Sequence, residues 1–445
     1  MHKVRWIIVG LFCAPALATA QVSAGEIDAR RAALMAKLPD AMVLVSANWN
    51  IKHDAEMGFR QNASFYYLTG LANQIGAVLL LDGPRTESTL FVADDHPGVQ
   101  FFNATVRRTD STAQSLGVTR VLNMDEFVSF VDRRLSGLRD IRVLVASEPS
   151  LVSGVPGLRD FTDPGTGLRN ALSDQWPNLQ LAPLQPALYE FRAVKSSAEI
   201  DLMREASRAA VEALTAGLRA VAPGKQQREV EVDIMAACLR AGADGVSWWP
   251  WAQTGPNAVF PKTFASFADY QHLNRVMQDG ELARLDVGCE YGHYQSDVGR
   301  TVPVSGRWTA PQRETWNLLI AGYTAGLGVL RDGTHVDSVR SAFDEAIRRR
   351  QPELQTELAI AAAAILLDHN RSPFWQLHGV GLESAEPVAP VLRAGMVVAF
   401  EPMFVVASQG FYLEDLLLVT QNGYEVLTPN LPNTAREIEE AMLSR

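Results

Sequence analysis

Four carboxylates stand inside runs that otherwise read as buried strand. In ELARLDVGCEYGHYQSDVGRTVPV (281–304), Asp286 and Asp297 sit beside Leu285, Val287 and Val298. In GMVVAFEPMFVVASQGFYLEDLLLVTQNG (395–423), Glu401 and Glu414 lie within AFEPMFVV and FYLEDLLLV. Acids are rarely buried unless they are paired or bound to a cation, so a chain with four of them in strands must bring them to a common partner. Symmetry suggests how. A two-residue turn at Tyr291-Gly292 would set Asp286 and Asp297 directly opposite each other on one face. Glu401 and Glu414 are likewise centred between Ala407 and Ser408, beside an ASQG turn, although Pro402 interrupts that ladder. Carboxylates held this close repel, and one must take up a proton unless a cation intervenes. With His378 of QLHGVGLESAEP (376–387), the set is rich in oxygen and has a single nitrogen. It suits Mn2+, with Co2+, Zn2+ or Fe2+ as further options. Two bridged ions can activate water and polarise a carbonyl at once, so the residues alone point to a metal-assisted hydrolase.

The 445-residue chain is long enough for two or three domains. From about residue 24 to 190, short apolar runs (AMVLVSANW, GAVLLLDG, STLFVADD, IRVLVASEP) read as strands, and VLNMDEFVSFVDRRL has helical spacing. The alternation predicts an α/β domain. From 191 to 440 long helices mix with β-rich segments, which predicts an α+β domain. Its first helix, SSAEIDLMREASRAAVEALTAGLRAV (196–221), has Ser196 or Ser197 to cap it and Pro223-Gly224 to stop it.

The N-terminus reads as an export signal: Lys3 and Arg5, an apolar stretch, then Ala18-Thr19-Ala20 as a cleavage site. Removal of residues 1–20 predicts a periplasmic or secreted protein. The apolar run is too short for a stable membrane anchor. Cys238 and Cys289 remain in the mature chain, and their spacing says nothing about pairing. A net charge of −10 argues against a nucleic-acid partner.

LDVGCEYGHYQSDVGRTVPVSG, HGVGLESAEP, GMVVAFEP and GFYLEDLLLVTQNGYEVLT, taken in order, resemble the metal-binding motifs of the pita-bread metallopeptidases. This is the group of aminopeptidase P, prolidase and methionine aminopeptidase. FRAVKSSAEIDLM resembles the opening of that catalytic domain. FRQNASFYYLTGLANQIGAVLLLDG (59–83) is similar to the aminopeptidase P N-terminal domain, which favours aminopeptidase P and prolidase. The resemblance implies a pita-bread fold for the second domain and two divalent ions. Asp286 would chelate one ion, Asp297 and Glu414 would bridge both, and His378 and Glu401 would complete the second. It further implies that Glu401 shuttles a proton, that proline-containing peptides are cut at the Xaa-Pro bond, and that the chain is a homodimer or homotetramer.

The chain departs from that pattern at its accessory positions. Phe374 stands four residues before the ligand histidine and Ala385 seven after it, where the family has histidines. After GPNA, counting gives Lys262 or Asp269, and His272 is the histidine nearby. Tyr412 replaces an arginine two residues before the last glutamate. Losing one preorganised oxyanion donor costs about 10²–10³ in rate. Tyr412, Lys262 and His272 are the substitutes at hand, so Glu401, His272 and Tyr412 are the expected catalytic residues. The alternative is a metal-binding homologue of weakened or repurposed activity. Trp248, Trp249 and Trp251, with Phe374, are candidates to line a pocket for the proline side of the substrate. Packing in a core or a subunit interface explains any single tryptophan equally well. His53, His96, His293, His335 and His369 are better read as structural.

Overall fold

The structure, a computed structural model, describes residues 21–48, 59–96, 106–136, 142–146, 164–259, 274–371 and 375–443. The export signal, His53, Lys262, Asp269, His272 and Phe374 lie outside these residues.

Among the described residues the N-terminal part builds one sheet. Its strands are β1 (Ala41–Ser46), β2 (Ala77–Asp82), β3 (Glu87–Val92), β4 (Arg120–Asn123), β5 (Arg142–Val145) and β6 (Leu181–Pro183). The order is β4-β3-β2-β1-β5-β6. β2 runs antiparallel to both β1 and β3, whereas β4 joins β3, β5 joins β1 and β6 joins β5 in parallel. β1 and β2 are buried along their whole length, because apolar layers cover both faces. Val43 and Val45 pack with Leu34 and Leu79 on one side, and Met42 and Leu44 with Leu80 and Phe91 on the other. This is why these strands read as continuous apolar runs. The segment expected as one helix, VLNMDEFVSFVDRRL, divides. Its first residues belong to β4, and the helix proper is Phe127–Leu135. Asn123 ends the strand: its side chain accepts from the Asp125 amide, and Glu126 reaches back to the Asn123 amide.

The C-terminal part carries β7 (Gly245–Val246), β8 (Trp251–Thr254), β9 (Leu282–Val287), β10 (Cys289–Tyr291), β11 (Tyr294–Gln295), β12 (Val298–Pro303), β13 (Gln376–Gly379), β14 (Val397–Glu401), β15 (Met403–Val406), β16 (Gln409–Val419) and β17 (Tyr424–Val426). The main sheet runs β13-β14-β16-β12-β9-β8, and β15 and β17 also pair with β16. Helices cover one face. Ser197–Ala220 is capped by Ser196 with Glu199, and its Leu214 and Leu218 share a core with Val230, Leu285, Val298 and Phe400. Leu285 faces this core, so its neighbour Asp286 faces away from it. The acids therefore project from the face opposite the helices.

A second core crosses from one sheet to the other, joining Leu79 and Val43 to Leu202, Val380, Ala399 and Leu416. Buried Arg30 reaches Glu199 at 3.1 Å across the same junction. Cys238, on the helix Gln227–Arg240, is disulfide-bonded to Cys289 of β10 with a Cα separation of 6.0 Å.

Candidate metal centre

The aspartate hairpin turns one residue later than its symmetry suggests. Tyr291 pairs with Tyr294, so the turn is Gly292-His293, both with positive φ (57° and 69°). Such turns demand left-handed backbone at both central residues, which glycine and histidine accept more readily than a bulky tyrosine. The N-terminal domain holds this turn. The Tyr66 ring lies 4.3 Å from that of His293, and Tyr66 Oη donates to the Gly292 carbonyl at 3.3 Å. The register then sets Asp286 opposite Gly299 rather than Asp297. The expected direct pairing is thus corrected: the two aspartates are diagonal neighbours on one face.

The glutamate hairpin keeps the expected centre despite Pro402. Val406 pairs with Gln409 around Ala407-Ser408, again with positive φ at both residues (47° and 60°). Phe400 faces Asp415 on one side of Pro402 and Met403 faces Tyr412 on the other. Both registers place Glu401 opposite Glu414. One row therefore crosses the sheet as Trp251, Asp286, Gly299 and Glu414, with Glu401 beyond.

His378 enters from the edge strand β13, opposite Ala399. Its Nδ1 lies 3.1 Å from the Gly379 carbonyl, which can only accept, so Nδ1 carries the hydrogen and Nε2 faces the acids. The following loop is fastened by Glu386. Gly379 and Glu386 exchange backbone hydrogen bonds of 2.8 and 2.7 Å. The buried Glu386 carboxylate meets Arg192, and Lys195 at 3.2 Å. Burial pushes this carboxyl up, but Arg192 and Lys195 outweigh it and hold it below the ordinary range. The HGVG pattern follows from this buckle, since a Cβ at Gly381 would come within 2.7 Å of Glu386 Oε1. Arg192 and Lys195 belong to FRAVK, so two distant motifs meet in one ion cluster.

The five side chains converge. His378 Nε2 lies 3.6 Å from Glu401 Oε2, 3.6 Å from Glu414 Oε1 and 3.8 Å from Asp297 Oδ2. Ligand atoms of Asp297, His378 and Glu414 all fall within 4.8 Å of one another. All four acids are buried. Burial, then Glu414 and Asp286, pushes the Asp297 carboxyl well above its usual value. Burial is also the main cause at Asp286, which is pushed up to about 8 although Arg284 pulls it down. Glu401 is raised by burial and by Glu414. Burial lowers the His378 imidazole, but hydrogen bonding and charge from Glu401 and Glu414 prevail and lift it to about 10. Buried Glu414 Oε1 has no donor nearer than His378 Nε2 at 3.6 Å, too long for a good hydrogen bond. An oxygen-rich, one-nitrogen cluster with an orphaned carboxylate oxygen fits divalent cations.

Two family models match the chain: metallopeptidase family M24 over residues 201–421, and the aminopeptidase P N-terminal domain over 27–143. The chain belongs to metallopeptidase family M24. Among curated relatives, "Xaa-Pro aminopeptidase" of Haemophilus influenzae is 25% identical, the match covering 94% of this chain and 97% of the relative. The Escherichia coli protein of the same name is 26% identical, with 95% and 99% covered. Among solved structures, aminopeptidase P from Escherichia coli with the inhibitor Pro-Leu superposes at a TM-score of 0.75 and 25% identity, over 95% of this chain and 99% of that one. Proline aminopeptidase P II from Yersinia pestis gives 0.75 at 24% identity, over 95% and 100%. The second domain is accordingly a pita-bread domain, and M24 metallopeptidases use divalent metal ions.

In this M24 chain the remaining candidates separate. Tyr412 is fully buried and its hydroxyl donates to the Glu414 carboxylate, so it is already committed. Burial, and then the surrounding acids, raises its phenol well above the usual value. Trp251 lies opposite Asp286, and Trp248 packs so closely on Gly288 that a Cβ there would collide with its ring. Trp249 instead donates to Glu231 at 2.8 Å and stacks with Arg228, which ties it to the helix Gln227–Arg240. Ala385 is exposed. His293 faces Tyr66, and burial, aided by Arg60, lowers its imidazole to about 4. His335 caps the helix Val336–Arg350, and His369 bonds Asp344 at 2.7 Å. Sequence reading passed over Arg284, Glu386, Arg192 and Lys195. Arg284 carried a signal, being a charge in a buried strand two residues from a candidate ligand, whereas Glu386 and its partners had none short of the fold.

Proposed function

We propose that this metallopeptidase is an exported enzyme that hydrolyses the bond between an N-terminal residue and proline, in peptides or in Xaa-Pro dipeptides. The observation that carries the reading is the meeting of Asp286, Asp297, His378, Glu401 and Glu414 on one buried face. Near-complete coverage of relatives named for Xaa-Pro aminopeptidase activity supports the substrate class. These five side chains would hold two divalent ions, which we take to be Mn2+. When bound, such ions supply an activated water and a Lewis acid for the scissile carbonyl. Glu401, whose carboxyl is raised by burial, would accept and return a proton during hydrolysis. Trp248 and Trp251 offer aromatic surface beside the aspartates for the proline ring.

Export is supported by the leader-like N-terminus and by the Cys238–Cys289 disulfide, a bond that persists in oxidising compartments. Among the described residues no helix is long and apolar enough to cross a membrane. A dimer or tetramer is the assembly we expect.

The exposed Ala385 and the committed Tyr412 hydroxyl favour a second reading, a metal-binding homologue with weakened or repurposed activity. Metal analysis of the purified mature protein, followed by assay on Xaa-Pro dipeptides and Xaa-Pro-Yaa tripeptides, separates the two. The first reading expects about two ions per chain and proline-dependent cleavage. Stoichiometric metal with no cleavage of any such peptide would refute it and leave the second. Cleavage of dipeptides alone would make the enzyme a prolidase.

A further inference from the structure

Among the described residues, Arg284 is the one at the centre whose charge opposes the acids permanently, and it is almost completely buried. Its Nη2 lies 2.7 Å from Asp286 Oδ2 and 3.9 Å from Glu401 Oε1. Its guanidinium is sandwiched between two rings, 4.4 Å from the centre of Tyr412 and 4.9 Å from that of Trp251. Tyr412 belongs to β16 and Arg284 to β9, with β12 between them. The contact across β12 exists because Gly299 lacks a side chain: a Cβ there would collide with the Tyr412 ring. Position 412 is also where the family resemblance calls for an arginine.

We infer that Arg284 is the positioning residue of this centre: it aims the Asp286 carboxylate, it rests on Tyr412, and it supplies from β9 a guanidinium that the family resemblance would place at position 412. The two side chains work as one unit spanning the Gly299 gap. Arginine holds the first aspartate, and the phenol beneath it holds Glu414. Because the two side chains occupy adjoining space on one face, exchanging them returns a guanidinium and a phenol to the same volume. The catalytic consequence rests on the peptidase reading, but the structural role does not.

The test uses the full mature chain, stripped with a chelator and titrated with Co2+ alone, the visible absorption spectrum reporting how the ion is ligated. Arg284→Met is expected to weaken Co2+ binding by about 10–100-fold and to alter the band shape. With metal at saturation it should lower kcat by about 10²-fold and leave KM near wild type. Arg284→Lys should recover part of both effects. The double variant Arg284→Tyr/Tyr412→Arg should restore the wild-type titration and spectrum. A wild-type titration and kcat in Arg284→Met would overturn the inference. So would a double variant that folds, by circular dichroism, yet stays as impaired as Arg284→Met. If the wild type cleaves no Xaa-Pro peptide, the peptidase reading falls while the Co2+ titrations still decide the role of Arg284.

Discussion

Glu386→Gln changes one atom in a loop that touches no reacting group, and it should be among the most damaging conservative substitutions in the chain. The carboxylate is buried against Arg192 and against Lys195 at 3.2 Å, and it also accepts from the Leu382 amide at 3.2 Å. An amide keeps the shape but leaves buried Lys195 without its counter-charge and buried Arg192 with Glu383 alone, which costs about 3–5 kcal/mol. The pH dependence has a definite sign. The Glu386 carboxyl is depressed in the folded chain, so its contribution is complete above the unfolded value of about 4.3. It is lost as pH falls through the lower folded value, where the wild type too becomes neutral. Denaturant unfolding of wild type and variant should therefore show a wide gap at neutral pH that narrows on the acid side. Glu383→Gln is the control: that side chain also meets Arg192, at 3.2 Å, but it is 20% exposed and its loss leaves Arg192 paired with Glu386, so it should cost less. Metal content should fall along with stability, because the Gly379–Glu386 bridge holds the strand end that carries His378. A gap no larger than that of Glu383→Gln, or one that does not change with pH, would refute the reasoning.

Replacing Cys238 with serine removes a crosslink that closes 51 residues, worth about 4 kcal/mol by loop entropy; unfolding with and without reductant should show the loss in the wild type only. Gly299→Ala should drive Tyr412 out of its place over β12 and destabilise the fold by about 1–3 kcal/mol, with reduced metal content as the second readout. In the metal-free chain, Asp286 near 8 and His378 near 10 still bind protons at neutral pH, and a cation must displace them. Affinity measured against a competing chelator should therefore rise with pH, by about ten-fold per unit for each proton released. The same two shifts mean that the metal-free protein loses stability as pH climbs toward those values, and added metal should reverse the loss.

The parts of this molecule legible in its sequence are those set by local chemistry. Acids embedded in strands pointed to a buried cluster because burial of unpaired charge is so costly, and Ser196 with Glu199 marked a helix start by the bonds they exchange. The aspartate register was misjudged by one residue, because symmetry about a midpoint does not say which residues accept positive φ. His293 does so while packed against Tyr66, a residue from another domain. The glutamate register, interrupted by a proline, survived because the antiparallel ladder resumes beyond Pro402. Arg284 over Tyr412, and Arg192 and Lys195 on Glu386, join residues between 128 and 194 positions apart. Such contacts have no local trace, and only the folded sheet reveals them.

Both carboxylate pairs hang from two-residue turns at the ends of their hairpins, Gly292-His293 and Ala407-Ser408. Surface turns are ordinarily where a protein absorbs insertions and deletions at little cost. Here that freedom is withdrawn. Adding or removing one residue at either turn would shift the ladder by a step and swing a candidate metal-binding acid from the site face into the helical core. The length of these turns is thereby constrained as tightly as the acids themselves.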